Sequence, residues 1–212
     1  MQVAKFTFNM FMENTYVLYD ETKECIIVDP GCQEDYEKKA LKDYIEQNEL
    51  KPVRLVNTHC HIDHVAGNNF VHQTWNLPLE CNHLDIPQLE RAAVYGEAFG
   101  FVIEPSPMPE GDSLEEGMKL TFGNTSMDII FAPGHAPGHV CFYNEENKTL
   151  LAGDCLFAQG IGRTDLPGGD YQTLIDSIKT KLLVLPEDTT VYSGHGPETN
   201  IGAETWSNPF LT

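Results

Sequence analysis

Near the amino terminus, apolar and β-branched residues fall into three short runs, at residues 3–8, 15–19 and 25–29. Polar breaks at Glu13-Asn14 and across residues 20–24 separate them, which predicts strands joined as antiparallel hairpins. Asp29-Pro30-Gly31 then ends the third run in a turn. The period changes over 34–48, where Tyr36, Ala40, Leu41, Tyr44 and Ile45 recur at three- and four-residue spacing. That spacing predicts an amphipathic helix with a charged outer face. Residues 53–56 follow as a strand. A second helix is expected over 83–99, with Leu89, Ala92, Ala93 and Ala98 inward and Pro87 tolerated in its first turn. The stretch Glu104-Pro105-Ser106-Pro107-Met108-Pro109-Glu110-Gly111 excludes regular structure and reads as a loop connecting two halves of one domain, residues 1–212. Strand signals resume at 118–122, 127–132, 140–143 and 149–152. A third helix is expected over 171–185, closed by Pro186, and a last strand at 191–192 leads into Gly194-His195-Gly196-Pro197.

With 212 residues and 41% apolar side chains, the chain is long enough for one sizeable core. The formal charge is −19, from 32 acidic against 13 basic residues. A field of that sign repels phosphate backbones, so neither nucleic acid nor an anionic membrane is expected as partner. It argues less against small anionic substrates, because divalent cations would reverse the potential locally. No apolar run approaches the ~20 residues of a membrane span. The six cysteines form no C-x-x-C pair, and the start of the chain carries no signal pattern. They read as free thiols in a reducing cytoplasm, with disulfides as the minority alternative.

The chemistry concentrates in Thr58-His59-Cys60-His61-Ile62-Asp63-His64. Three imidazoles crowded into this space, beside a carboxylate, would repel one another whenever the rings charge. A bound cation removes the conflict, since neutral imidazole and carboxylate are good ligands for zinc or iron. An apolar run precedes the stretch, and Val65-Ala66-Gly67-Asn68-Asn69-Phe70 after it could open a helix. A turn with His59 and His61 on one side, Asp63 and His64 on the other, could feed two metal ions. The alternative is a surface loop that happens to be histidine-rich.

H-x-H-x-D-H is the signature of the metallo-β-lactamase superfamily, and the chain resembles that family beyond it. Gly134-His135, Gly153-Asp154 and Gly194-His195 follow in the family's order, and the resemblance runs from Asn14-Thr15-Tyr16 to about Thr199. It implies an α/β (α+β) fold, a four-layer αββα sandwich with metals on the loops at one edge. It implies that His59, His61 and His135 hold one ion, that Asp63, His64 and His195 hold a second, and that Asp154 bridges them. Two divalent cations are expected, zinc foremost, with iron or manganese as alternatives. Asp63 would also orient a hydroxide shared by the metals. Asp29 would brace the metal loop from behind, or be a simple turn residue. His139 is expected to pack, and His72 and His83 to be ordinary surface or packing residues.

Asp154, where many true β-lactamases carry a cysteine, is the pattern of glyoxalase II and its relatives. Gly162-Arg163-Thr164-Asp165 and Leu166-Pro167-Gly168-Gly169-Asp170 resemble the short glyoxalase II-like hydrolases of bacteria. The resemblance therefore implies hydrolysis of small acyl thioesters such as S-lactoylglutathione. Thiols, with pKa near ~8.5, leave with little acid help, so thioesters suit such a site better than amides. The G-R-T-D element also occurs in persulfide dioxygenases, which use one iron, and a lactonase is a third reading. Long glyoxalase II enzymes hold glutathione with a carboxy-terminal helical region, whereas 17 residues follow His195 here. Arg163 either holds a substrate carboxylate or braces its loop against Asp165.

Overall fold

The computed structural model describes all residues, Met1–Thr212. The chain forms two compact units, Met1–Ser113 with Thr121–Thr125, and Leu114–Leu120 with Ser126–Thr212. The first division falls just after the proline-rich loop.

The first unit is built on a five-stranded sheet. Its strands are β1 (Gln2–Phe8), β2 (Glu13–Tyr19), β3 (Glu24–Val28), β4 (Lys51–Val56) and β5 (Leu79–Glu80), paired in that order. β1, β2 and β3 form the expected antiparallel hairpins, and β3, β4 and β5 run parallel. Parallel neighbours require a crossover, and α1 (Asp35–Gln47) supplies the first. Leu41 and Ile45 on its inner face are buried with Val17, Ile27 and Leu55 of the sheet. Because β3 and β4 are parallel, the segments leaving them, Asp29 and the histidine loop, emerge at the same end of the sheet. The loop then enters α2 (Asn68–Trp75), three residues beyond the point where the sequence suggests helical opening.

The helix expected over 83–99 is broken. A single tight turn at His83–Asp85 leads into α3 (Ile86–Leu89), and α4 (Ala92–Ala98) starts afresh. Leu89 and Ala92 are buried as expected, but Ala98 is exposed. Gly96 takes the inward place one turn after Ala92, where a Cβ would lie 2.2 Å from the Phe101 carbonyl oxygen, so a side chain would not fit.

The second unit carries β6 (Lys119–Phe122), β7 (Thr125–Phe131), β8 (Val140–Asn144), β9 (Thr149–Gly153), β12 (Thr190–Ser193) and β13 (Thr199–Asn200). These six form one sheet in the order β13-β12-β9-β8-β7-β6, while β10 (Leu156–Phe157) and β11 (Gly160–Ile161) pair as a small hairpin. β8 is antiparallel to β7 and β9, and β12 is parallel to β9. β7, β9 and β12 therefore point one way, and the three segments that follow them, with the ligand candidates His135, Asp154 and His195, leave from one edge. Asp170 caps α5 (Tyr171–Ser177) by accepting from the Thr173 amide at 2.7 Å. The expected continuation to residue 185 widens after Ser177, closing on Leu183 N–H to Ile178 O at 2.9 Å. The short helix α6 (Ile201–Ser207), which the periodicity does not reveal, starts on Asn200, whose side chain accepts from Ala203 N–H at 2.8 Å.

All six cysteines are free and buried. No helix is long and apolar enough to cross a membrane.

Candidate metal centre

In the first unit the ligand candidates sit on the loop between β4 and α2, and Asp29 anchors it. The Asp29 backbone is left-handed, φ +49°, a conformation Asp tolerates better than most residues. That turn lets its carboxylate accept from Thr58 N–H at 2.7 Å, Thr58 Oγ1–H at 2.6 Å and Asn57 Nδ2 at 3.2 Å. His64 Nδ1 lies 3.2 Å from the same carboxylate. The Thr58 hydroxyl has one proton, given to Asp29, so its oxygen accepts from His59 Nδ1–H, 3.0 Å away. That bond leaves the His59 lone pair on Nε2. The rings of His59 and His61 are 4.6 Å apart and those of His59 and His64 4.1 Å, centre to centre. His64 Nε2 is 3.8 Å from Asp63 Oδ2.

The second unit gathers its three candidates around Asp154. Its Oδ2 is 3.5 Å from Nε2 of His135 and 3.5 Å from Nε2 of His195. His135 Nδ1 lies 2.7 Å from the Arg163 carbonyl, which again turns Nε2 toward the carboxylate. Gly162 is required for that approach, because a Cβ there would collide with the Asp154 carbonyl and press on the His135 ring at 2.9 Å. The Arg163 side chain turns away to grip Asp165 with two bonds, Nε to Oδ1 at 2.7 Å and Nη2 to Oδ2 at 2.8 Å. This hydrogen-bonded partner holds the Asp165 carboxyl down to about 2. Both residues are largely exposed.

Two contributors, Asn57 and Asp85, carried no signal in the sequence. Asn57 donates to the His64 carbonyl at 3.1 Å and accepts from Asn68 at 2.7 Å. Asp85, fully buried, accepts from the Cys60 amide at 3.0 Å. His139 is fully buried, and its Nε2 accepts from the Asp154 amide at 3.0 Å. Cys155, next to the ligand candidate, is buried inward with its sulfur 3.2 Å from the Ala132 carbonyl, and burial pushes its thiol pKa well up. His72 Nδ1 pairs with the Leu77 carbonyl at 2.7 Å, and His83 is exposed.

The donor set fits divalent metals. His59, His64, His135 and Asp154 are nearly or fully buried. Crowded buried imidazoles cannot all be protonated, and rings whose Nδ1–H is engaged by an oxygen present Nε2 as a ligand atom.

A family model described as the metallo-β-lactamase superfamily matches residues 9–195. The chain belongs to the metallo-β-lactamase superfamily. It is similar to a protein named hydroxyacylglutathione hydrolase GloC from Haemophilus influenzae, at 38% identity over 95% of this chain and 93% of that one. Among solved structures it is similar to the BLEG-1 B3 metallo-β-lactamase, with TM-score 0.91, 36% identity and all of both chains covered. It is also similar to TTHA1623 in a di-iron-bound form, with TM-score 0.89, 38% identity, and 99% and 100% of the two chains covered. The fold is thus the metallo-β-lactamase fold, with its mixed α and β content and two sheets. The chain is a metallo-hydrolase of a superfamily that binds divalent metals.

Proposed function

We propose that the chain hydrolyses small acyl thioesters of the S-lactoylglutathione type, using a pair of divalent ions held by both ligand sets. In this reading His59, His61 and His135 hold one ion and Asp63, His64 and His195 the other. Asp154 serves both. The observation that carries the proposal is that carboxylate, with one oxygen 3.5 Å from each of two imidazoles on separate segments. An oxygen with two lone-pair directions is suited to being shared between neighbouring cations. Similarity to the hydroxyacylglutathione hydrolase supports the thioester class, and the di-iron relative keeps iron beside zinc and manganese as the resident metal.

Bound there, such ions lower the pKa of coordinated water toward neutrality and polarise a carbonyl oxygen. The chain's own residues supply orientation. Asp29 fixes the His59 ring through Thr58 and lies against His64. The Arg163 carbonyl fixes the His135 ring, and the Arg163–Asp165 fork holds that carbonyl's loop. In this reading Asp63 would also orient the attacking oxygen by accepting its hydrogen. The thiolate leaving group needs no protein acid, and none stands in these ligand sets. With the guanidinium already engaged by Asp165, Arg163 reads as a brace for its loop.

The test is a substrate panel with zinc-, iron- and manganese-loaded protein: S-lactoylglutathione and simpler acyl thioesters, acyl lactones, a β-lactam, and glutathione persulfide with oxygen uptake recorded. Free thiol released from thioesters, at kcat/KM well above that for lactones and β-lactams, supports the proposal. Oxygen consumption on persulfide without thioester cleavage would replace it with the one-iron dioxygenase reading. Preference for a lactone would replace it with a lactonase.

A further inference from the structure

The turn between β1 and β2 has no role in the ligand set, yet it is tied to the Asp63 backbone. Asn9 stands at its start in a left-handed conformation, φ +52°. Its Oδ1 accepts from Phe11 N–H at 2.9 Å, which fixes the amide's orientation. Its Nδ2 then donates to two carbonyls at once, Gly31 at 3.0 Å and Asp63 at 3.1 Å. The Asn9 amide N–H is itself held by Glu37 Oε1 at 2.7 Å.

Glu13, at the start of β2, approaches the same junction. It is fully buried, and its Oε2 accepts from the Thr15 hydroxyl at 2.9 Å. The Thr15 oxygen in turn accepts from Gly31 N–H at 2.8 Å. The Glu13 carboxyl occupies the space where a side chain on Gly31 would begin, and such a Cβ would also meet Asn9 Nδ2 at 2.7 Å and the Asp63 carbonyl at 2.8 Å. Gly31, two residues after Asp29, is thus gripped on three sides. A buried carboxyl is costly to keep.

We propose that Asn9 and Glu13 are positioning residues for the Asp63 ligand loop, clamping its backbone to the β1–β2 turn through Gly31. The inference rests on the ligand reading above, in which Asp63 serves one metal ion and His59 and His61 the other. The clamp therefore acts on one site of the two.

The experiment titrates zinc into metal-stripped full-length protein by calorimetry, beside steady-state thioester kinetics. The variants are Asn9→Asp, Glu13→Ala and Glu13→Gln. Asn9→Asp keeps the shape, the Phe11 contact and tolerance of the turn, but sets a carboxylate oxygen against two carbonyls. Wild-type protein is expected to bind two zinc ions. Asn9→Asp is expected to weaken one of them by on the order of 10–100-fold, with kcat reduced and KM nearly unchanged, as for other groups that orient metal ligands. Glu13→Ala should do the same, and Glu13→Gln, which still fills the space over Gly31 and accepts from Thr15, should recover both. Two sites of unaltered affinity and unaltered kcat in Asn9→Asp would overturn the clamp while leaving the hydrolase reading intact. Equal weakening of both sites, with a lower melting temperature and no recovery in Glu13→Gln, would reduce the contacts to general stability. Wild-type protein that binds no zinc, iron or manganese would overturn the ligand reading and the clamp with it.

Discussion

At the scale of single residues, the ligand candidates are set by partners that each take one proton position. Thr58 cannot donate twice, so His59 must; the Arg163 carbonyl can only accept, so His135 donates. Asp154→Ala removes the carboxylate between His135 and His195, and is expected to lose bound metal and thioester turnover together; retained turnover would contradict its assignment. Glu13 gives a pH signature in metal-stripped protein. Burial raises its carboxyl pKa well above the usual range, so the folded chain holds this proton to higher pH than the unfolded chain does. The folded state then binds more protons, and stability falls as pH rises from the unfolded value near ~4.3 toward the raised one. Glu13→Gln has no such proton to lose. Its melting temperature relative to wild type is expected to rise between pH 4 and pH 7, and a constant difference would refute the buried neutral acid. The histidine stretch was legible in the sequence because its ligands crowd into six positions. Asn57, Asp85 and Glu13 were not, because each acts on a group far away in the chain or on a backbone atom that no spacing reveals.

At the scale of elements, strands long enough to alternate or run apolar were readable, as were helices with several turns of stripe. β5, β10, β11 and β13 span two residues each, too short for any period. The stretch 83–99 shows the opposite failure, since Leu89 and Ala92 fit one helical stripe although the chain restarts between them. Periodicity records which side faces inward, not whether the backbone is continuous. α6 carries one start signal, the cap Asn200, but its run Ile201-Gly202-Ala203-Glu204-Thr205-Trp206-Ser207 holds only two strong helix formers, Ala203 and Glu204. Asn200→Ala removes that cap and is expected to cost about 1 kcal/mol, a fall in melting temperature of roughly 2–4 °C for a chain of this size. No change by calorimetry would mean that α6 is held by packing alone.

At the scale of the whole molecule, a net formal charge of −19 coexists with several buried acidic groups. Divalent ions that bind only the folded chain would offset both, and would stabilise by mass action: about 2.7 kcal/mol for a site filled at 100 times its dissociation constant. Chelation is therefore expected to lower the melting temperature and readdition to restore it. An unchanged melting temperature would argue against tightly held ions. The order of the four segments that carry the ligand candidates was legible through the family resemblance, and each of them follows a strand. Within each unit, parallel strands bring those segments to a common edge. The most direct test of the account is metal content per chain, by elemental mass spectrometry, in wild type and in His61→Ala and His195→Ala. Two ions per chain in wild type, with fewer in each variant, is the expected result. No bound metal in wild type, or two ions retained in both variants, would contradict it.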